Sequence, residues 1–163
     1  AQMAAHIGRG YSFAFHFSPD YAVPALRAYR EGFRPSEYLS EPHAILGVSV
    51  MVSESEERAE EWARTHDLFW LRLRRGESSD TLPTPEEAAD YQFTPQEEAL
   101  AQSSRNMLVW GTPEQVAERL TELSEQLQVD ELIVTSHIAH HQERLDSYRL
   151  LARAMGVEAV ATD

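Results

Sequence analysis

Histidine is the side chain of this sequence best suited to chemistry near neutral pH, because imidazole alone among unperturbed side chains changes charge there. Two places concentrate it. His137, His140 and His141 lie within five residues, and His16 sits alone between Phe15 and Phe17. Spacings of three and four could put the first group on one helical face and so suggest a metal. Only Glu143 is near enough in sequence to complete a ligand set, and there is no cysteine, so the reading adopted is a solvated helix start and no metal. His16 closes the apolar run of FAFHFSPD, Phe13 to Asp20, just before Ser18-Pro19-Asp20. It can hydrogen-bond a ligand, or it can satisfy a neighbouring carbonyl at a strand end; both readings stand. Phe15 and Phe17 are core and rim aromatics or ligand contacts. Glu54, Glu56, Glu57, Glu60 and Glu61 read as the solvated, dipole-favoured start of a helix rather than as an acid/base pair. Gly8 and Gly10 lack the strand-loop-helix setting that a dinucleotide fingerprint requires.

The elements that position these residues follow from periodicity. Tyr11 to Phe17, Ala44 to Val52 and Glu131 to Ser136 are short, rich in β-branched and aromatic residues, and read as strands. The second is apolar almost throughout, which favours a parallel sheet covered on both faces. Between them lie helical patterns. Ser18 and Pro19 open one in which Val23, Leu26, Tyr29 and Phe33 recur, ending near Gly32 to Pro35. Ser53 and Glu56 have capping-box spacing ahead of a helix whose Ala59, Trp62, Phe69 and Leu73 share a face. Gly76 to Thr94 is a polar excursion with a short helix after Thr84, and Thr94 opens another. Thr112-Pro113 opens a stronger one with a stripe of Val116, Leu120, Leu123 and Leu127. The last runs from about Gln142 to Met155, with Gly156 as its stop. Strand and helix thus alternate as in an α/β protein, read as one domain over residues 1–163. Three parallel strands leave two bare edges, so either strands outside this sequence or further copies of the chain are expected to pair with them.

Bulk properties narrow the partners. Among 163 residues, 27 acids face 14 bases, all arginine, for a net charge of -13. Such a surface repels phosphate backbones and argues against nucleic acid. The longest apolar run, Ala44 to Val52, is far short of the roughly 20 residues that span a bilayer, so no membrane insertion is expected. Absence of cysteine excludes disulfides and thiol chemistry and fits a reducing, cytoplasmic setting. The start at Ala1-Gln2 is what a chain processed or cut from something longer would show.

Four ordered motifs carry a resemblance. They are A-x-x-G-x-x-Y-x-F-A-x-H-F-S-P at Ala5 to Pro19 with Y-R-E-x-F-R-P-S at Tyr29 to Ser36, V-W-G-T-P-E-Q-V at Val109 to Val116, D-E-L-I-V-T-S at Asp130 to Ser136, and H-x-x-R-L-x-S-Y-x-L-L-A at His141 to Ala152. Together the chain resembles the carboxyl-terminal half of the bacterial luciferase-like, flavin-dependent monooxygenases. The resemblance implies a partial (β/α)8 barrel of about three parallel strands, corresponding to strands six to eight, with Ala1 to Ile7 as the tail of the preceding helix. Gly10 stands where family members often carry proline.

The resemblance also implies function. The intact protein would take reduced FMN from a separate flavin reductase and use O2 to oxidise an aldehyde-like or other small organic substrate, with a deazaflavin as the alternative cofactor. The principal catalytic histidine, most of the substrate pocket and the phosphate-binding turn would lie in the other half, so no catalytic residue is assigned here. Barrel chemistry sits at the carboxyl ends of the strands. That nominates Ala14, Phe15 and His16 as cofactor contacts, and Phe17, Ser18, Thr135, Ser136 and His137 as pocket residues, with Ser53 and Glu54 at the middle strand's tip. An apolar wall there would keep water from a reactive flavin. The rival expectation is a non-catalytic, barrel-derived α/β domain that self-associates or binds a partner chain.

Overall fold

A computed structural model describes residues 1–77 and 81–157. The chain forms two compact units, Ala1–Ser49 with Leu120–Thr135, and Val50–Arg119 with Ser136–Asp163.

The first unit holds α1 (Gln2–His6), β1 (Tyr11–Ala14), a single 3-10 turn (Pro19–Tyr21), α2 (Ala22–Gly32), most of β2 (Ala44–Val52), the end of α6 (Pro113–Leu127) and β4 (Glu131–Thr135). β2 is central, parallel to β1 on one side and to β4 on the other. The register pairs Ala14 with Gly47, Gly47 with Ile133, and Ser49 with Thr135. Side chains alternate across such a sheet. On one face Leu46 and Val48 are fully buried and Tyr11 packs on Tyr29 of α2, ring centroids 5.3 Å apart. On the other, Ser12, Ala14, Glu131 and Ile133 are exposed. Tyr29 is wholly buried, yet its hydroxyl is saturated: it donates toward the Arg9 and His43 carbonyls at 2.8 and 3.2 Å and accepts from His43 N–H at 3.0 Å. A buried phenol without such partners would be costly. The turn after α1 needs glycine. Gly8 has φ +64°, and a Cβ there would lie 2.4 Å from Ser36 Cβ and 2.6 Å from the Arg34 carbonyl oxygen.

The second unit is built on α3 (Glu56–Arg74), against which α4 (Pro85–Asp90), α5 (Pro95–Arg105) and β3 (Leu108–Gly111) pack; it also contains the end of β2, the start of α6 and α7 (His141–Ala154). Its core is Met51, Trp62, Ala63, Leu108 and Ile138, with Trp110 and Ala139 at the margin. A fully buried side chain of the larger kinds contributes about 1.5–3 kcal/mol. Several charged groups inside are paired. Arg105 donates to Asp67 at 2.9 Å and to both carboxylate oxygens of Glu60 at 2.8 and 2.7 Å. Arg75 and the Tyr91 hydroxyl both reach the buried Glu97.

The structure revises several expectations. The first strand ends at Ala14, not Phe17, because Phe17 N–H and Ser18 N–H turn back to the Ala14 and Phe15 carbonyls. β3, a fourth strand of the sheet, pairs with β2 and was not expected. The cap of α3 is Ser55, whose hydroxyl accepts from Arg58 N–H at 3.2 Å; Ser53 instead gives its backbone N–H to Gly111. Val23 and Leu73, each placed on a buried stripe by spacing, are 53% and 50% exposed. The stripe of Val116, Leu120, Leu123 and Leu127 is buried as expected. Thr84 and Thr94 close full capping boxes with Glu87 and Glu97. Gly156 follows α7 with φ +66°, as a stop residue should.

Candidate functional site

In the first unit, parallel strands bring their carboxyl ends to one side, and the register sets what stands there. Ala14, Gly47, Ser49 and Thr135 share one face near that end, Ala14 exposed, Thr135 half-buried, Gly47 and Ser49 buried. His16 joins them from the turn. Its backbone N–H donates to the Gly47 carbonyl at 3.3 Å, and its Nδ1 lies 2.9 Å from the same oxygen. The ring lies where a Cβ on Gly47 would point: that atom would sit 3.3 Å from Cε1 and 3.5 Å from Nδ1. So the side chain does satisfy a strand-end carbonyl, and it does so on the open face. Phe17, 61% exposed, leans on the imidazole at 4.4 Å between centroids. Phe15 is half-buried in the turn. Ser18 occupies the position before the 3-10 turn and makes no side-chain cap bond.

Ser136 and His137 belong to the second unit. Ser136 N–H donates to the Tyr148 hydroxyl at 2.9 Å, while its own hydroxyl is buried without a partner. His137 stacks on Phe69, centroids 5.8 Å apart and planes 14° from parallel. The turn they begin is tied down at its far end. Glu143, in the first turn of α7, accepts from Arg58 Nε at 2.8 Å and Nη2 at 2.5 Å, from Trp62 Nε1 at 2.9 Å, and from His140 Nδ1 at 3.0 Å. Arg58 above all, then His140 and Trp62, hold its carboxyl down to about 2 against an opposing burial effect. Nearby on α3, Trp70 Nε1–H donates to His66 Nε2 at 2.8 Å. Burial, then the positive fields of His137 and Arg105, push the His66 imidazole down to about 3, so it stays neutral. A cleft of about 300 Å³ opens beside the end of β2, lined by Ser53, Glu54, Trp62, Glu143 and Ser147 among others.

Of the residues nominated from the sequence, Ala14, His16 and Thr135 stand on one face of the first unit's sheet; Gly47, Ser49 and the Arg58–Glu143 anchor were not nominated. A lone glycine inside AILGVSVMV was the available signal, because glycine in a strand often marks close approach of another group. Among the described residues no cluster of three or more histidine or acidic side chains is arranged to hold a metal. His140 is engaged with Glu143, and His141 Nδ1 lies 3.1 Å from Arg144. No described helix is long and apolar enough to cross a membrane.

A family model described as luciferase-like monooxygenase matches residues 1–131. The chain belongs to that family. A luciferase-like monooxygenase of Escherichia coli (strain K12) is 33% identical over 150 residues, covering 92% of this chain and 44% of the relative. The chain thus spans just under half the length of such curated relatives. Among solved structures, apo-MsnO8 superposes with a TM-score of 0.80 at 30% identity, over 96% of this chain and 48% of that one. A riboflavin lyase, RcaE, solved with modified FMN and riboflavin, matches with a TM-score of 0.54 at 20% identity, over 99% of this chain and 42% of that one. At that identity the likeness concerns the fold. The fold class is α/β, a partial (β/α)8 barrel with parallel strands and flanking helices.

The residues of the open face fit one side of a flavin ring. Ala14 is small and exposed, so a planar group can approach the sheet closely there, beside the imidazole that fills the space over Gly47 and adds a polar edge. Among the described residues of the first unit, no glycine-rich turn forms a phosphate cradle.

Proposed function

We propose that this chain is the carboxyl-terminal part of a flavin-dependent monooxygenase and supplies one wall of its pocket. Ala14, Phe15 and His16 contact FMN, and Phe17, Ser18 and Thr135 border a small, aldehyde-like or other organic substrate. The single observation behind this reading is the open face of β1, β2 and β4, whose small side chains gather at the strands' carboxyl ends. In this fold class that end carries the chemistry.

Bound as reduced FMN, the cofactor supplies two electrons, with which one atom of O2 enters the substrate and the other leaves as water. The chain's own residues do the rest: Ala14 gives the ring a close seat, Phe15 and Phe17 exclude water, and His16, held over Gly47, makes a directed polar contact. A separate reductase delivers the reduced cofactor, and strands from an upstream segment or a second copy cover the sheet edges. The setting is cytoplasmic. Titration of FMN, followed by absorbance, tests the reading. Weak or absent binding by the chain alone, restored by an upstream segment, supports it; absence of binding in both forms refutes it. A deazaflavin titrated in parallel decides which cofactor is preferred.

A further inference from the structure

The Gly47 carbonyl can only accept a hydrogen bond, so the 2.9 Å contact with His16 Nδ1 assigns the proton to Nδ1. In the neutral ring Nε2 then carries the lone pair, and it makes no hydrogen bond among the described residues. The ring is not free to turn. Its own backbone N–H bonds the same carbonyl, Phe17 leans on one side, and the ring atoms occupy the space of the Cβ that Gly47 lacks.

We infer that Gly47 is a socket that holds His16 in one tautomer, and that His16 serves the pocket as a hydrogen-bond acceptor for an N–H group of the bound flavin. The inference rests on the flavin reading above for the identity of the donor. A histidine held this way discriminates by polarity: it welcomes a donor and repels a carbonyl or an unprotonated ring nitrogen, because two acceptors facing each other leave both unpaired. An isoalloxazine ring offers such a donor at N3 in both redox states and at N5 only when reduced. An acceptor opposite N5 would therefore favour the reduced cofactor, whereas one opposite N3 would be indifferent.

The test has two arms. First, 15N spectroscopy of the His16 ring in this chain at pH 8, assigned with His16→Gln, reads the tautomer without any ligand. A protonated Nδ1 and a bare Nε2 are expected; a protonated Nε2 overturns the inference whatever the chain's function. Second, oxidised and reduced FMN are titrated into whichever form binds flavin, the chain alone or the chain with its upstream segment, as the wild type, His16→Phe, His16→Gln and Gly47→Ala. Gly47→Ala moves the ring by a few tenths of an ångström while leaving the strand intact. It and His16→Phe are expected to weaken binding about threefold to tenfold, the worth of one neutral hydrogen bond, with partial rescue in His16→Gln. A loss confined to reduced FMN identifies N5–H as the donor, and an equal loss in both states identifies N3–H. Unchanged affinity in Gly47→Ala and His16→Phe overturns the inference while leaving the flavin reading in place. No flavin binding by any form removes both.

Discussion

Replacing Glu143 by glutamine removes the charge that Arg58, Trp62 and His140 converge on while nearly preserving the side chain's shape. The carboxyl is held at about 2, against an ordinary 4.5. Lowering a pKa by one is worth about 1.4 kcal/mol, so the full difference would be about 3 kcal/mol. Glu143 is 35% exposed and Arg58 32%, and water screens a pair that open. A loss of about 1–2 kcal/mol at pH 7 is the reasonable expectation. For a chain of this size that lowers Tm by roughly 3–6 °C. The sign with pH follows from the direction in which the carboxyl has moved. A depressed carboxyl stabilises fully above its unfolded value, near 4.5, and the contribution fades as pH falls toward 2. Urea unfolding followed by tryptophan fluorescence, on wild type and Glu143→Gln from pH 7 down to pH 3, measures it. The gap between the two curves must be widest at neutral pH and shrink below pH 4.5. A gap under about 0.3 kcal/mol at pH 7, or one that stays constant to pH 3, would refute the idea that this ionised carboxylate fastens the start of α7 to α3.

Other expectations can be checked with the same unfolding measurements. Ser55→Ala should cost about 1 kcal/mol by uncapping α3, whereas Ser53→Ala should leave helix stability unchanged, since only the Ser55 hydroxyl accepts from Arg58 N–H. Gly8→Ala should destabilise by roughly 1–3 kcal/mol, because the left-handed backbone and the approach of Ser36 and Arg34 leave no room for a methyl group. His66 stays neutral when folded down to about pH 3 but takes up a proton near 6.5 when unfolded. The unfolded state therefore binds the extra proton, and stability should fall as pH drops from 6.5 toward 3, by up to about 1.4 kcal/mol for each pH step of one. His66→Phe should flatten that slope, and an unchanged slope would show that another group carries it.

Much of this fold is legible because its signals are local. Ala44 to Val52 is nine residues of almost unbroken apolar character, and its strand limits match the structure to the residue. Thr84 and Thr94 announce their helices with a proline and a glutamate at fixed offsets. What escaped depends on partners distant in sequence. Periodicity marked Val23 and Leu73 as apolar stripe positions, but whether a stripe residue is covered depends on what packs opposite, and these two are left to solvent. Leu108–Gly111 is only four residues long and leads straight into the Thr112 cap, so helix signals mask it. Glu143 and Arg58 are 85 positions apart, and His16 and Gly47 are 31 apart. No window reads such pairs. The histidine was conspicuous by its type, while the glycine beneath it became meaningful only once the register was known.

The two faces of the first unit's sheet explain why a short arc of strands can be specific. Toward α2 the strands present Tyr11, Leu46 and Val48, large side chains that fill space and are buried or ring-packed. Away from it they present the small residues Ser12, Ala14, Gly47, Ser49 and Thr135 together with the larger Ile45, Glu131 and Ile133. Were the open face meant for another helix, cavities beside such small residues would be destabilising. Glu131, Ile45 and Ile133 are what a solvated sheet face carries, whereas Ala14 and Gly47, which weaken a strand, need another reason. Those two positions suit a spot whose depth is kept free for another group. His16 follows the same logic: its ring lies over a missing side chain, so that it adds a polar atom without adding height. Gly47→Val separates these explanations, since valine favours the strand yet must expel the imidazole. A variant that gains stability while the His16 ring loses its bond to the Gly47 carbonyl would show that the glycine is kept for the ring and not for the sheet.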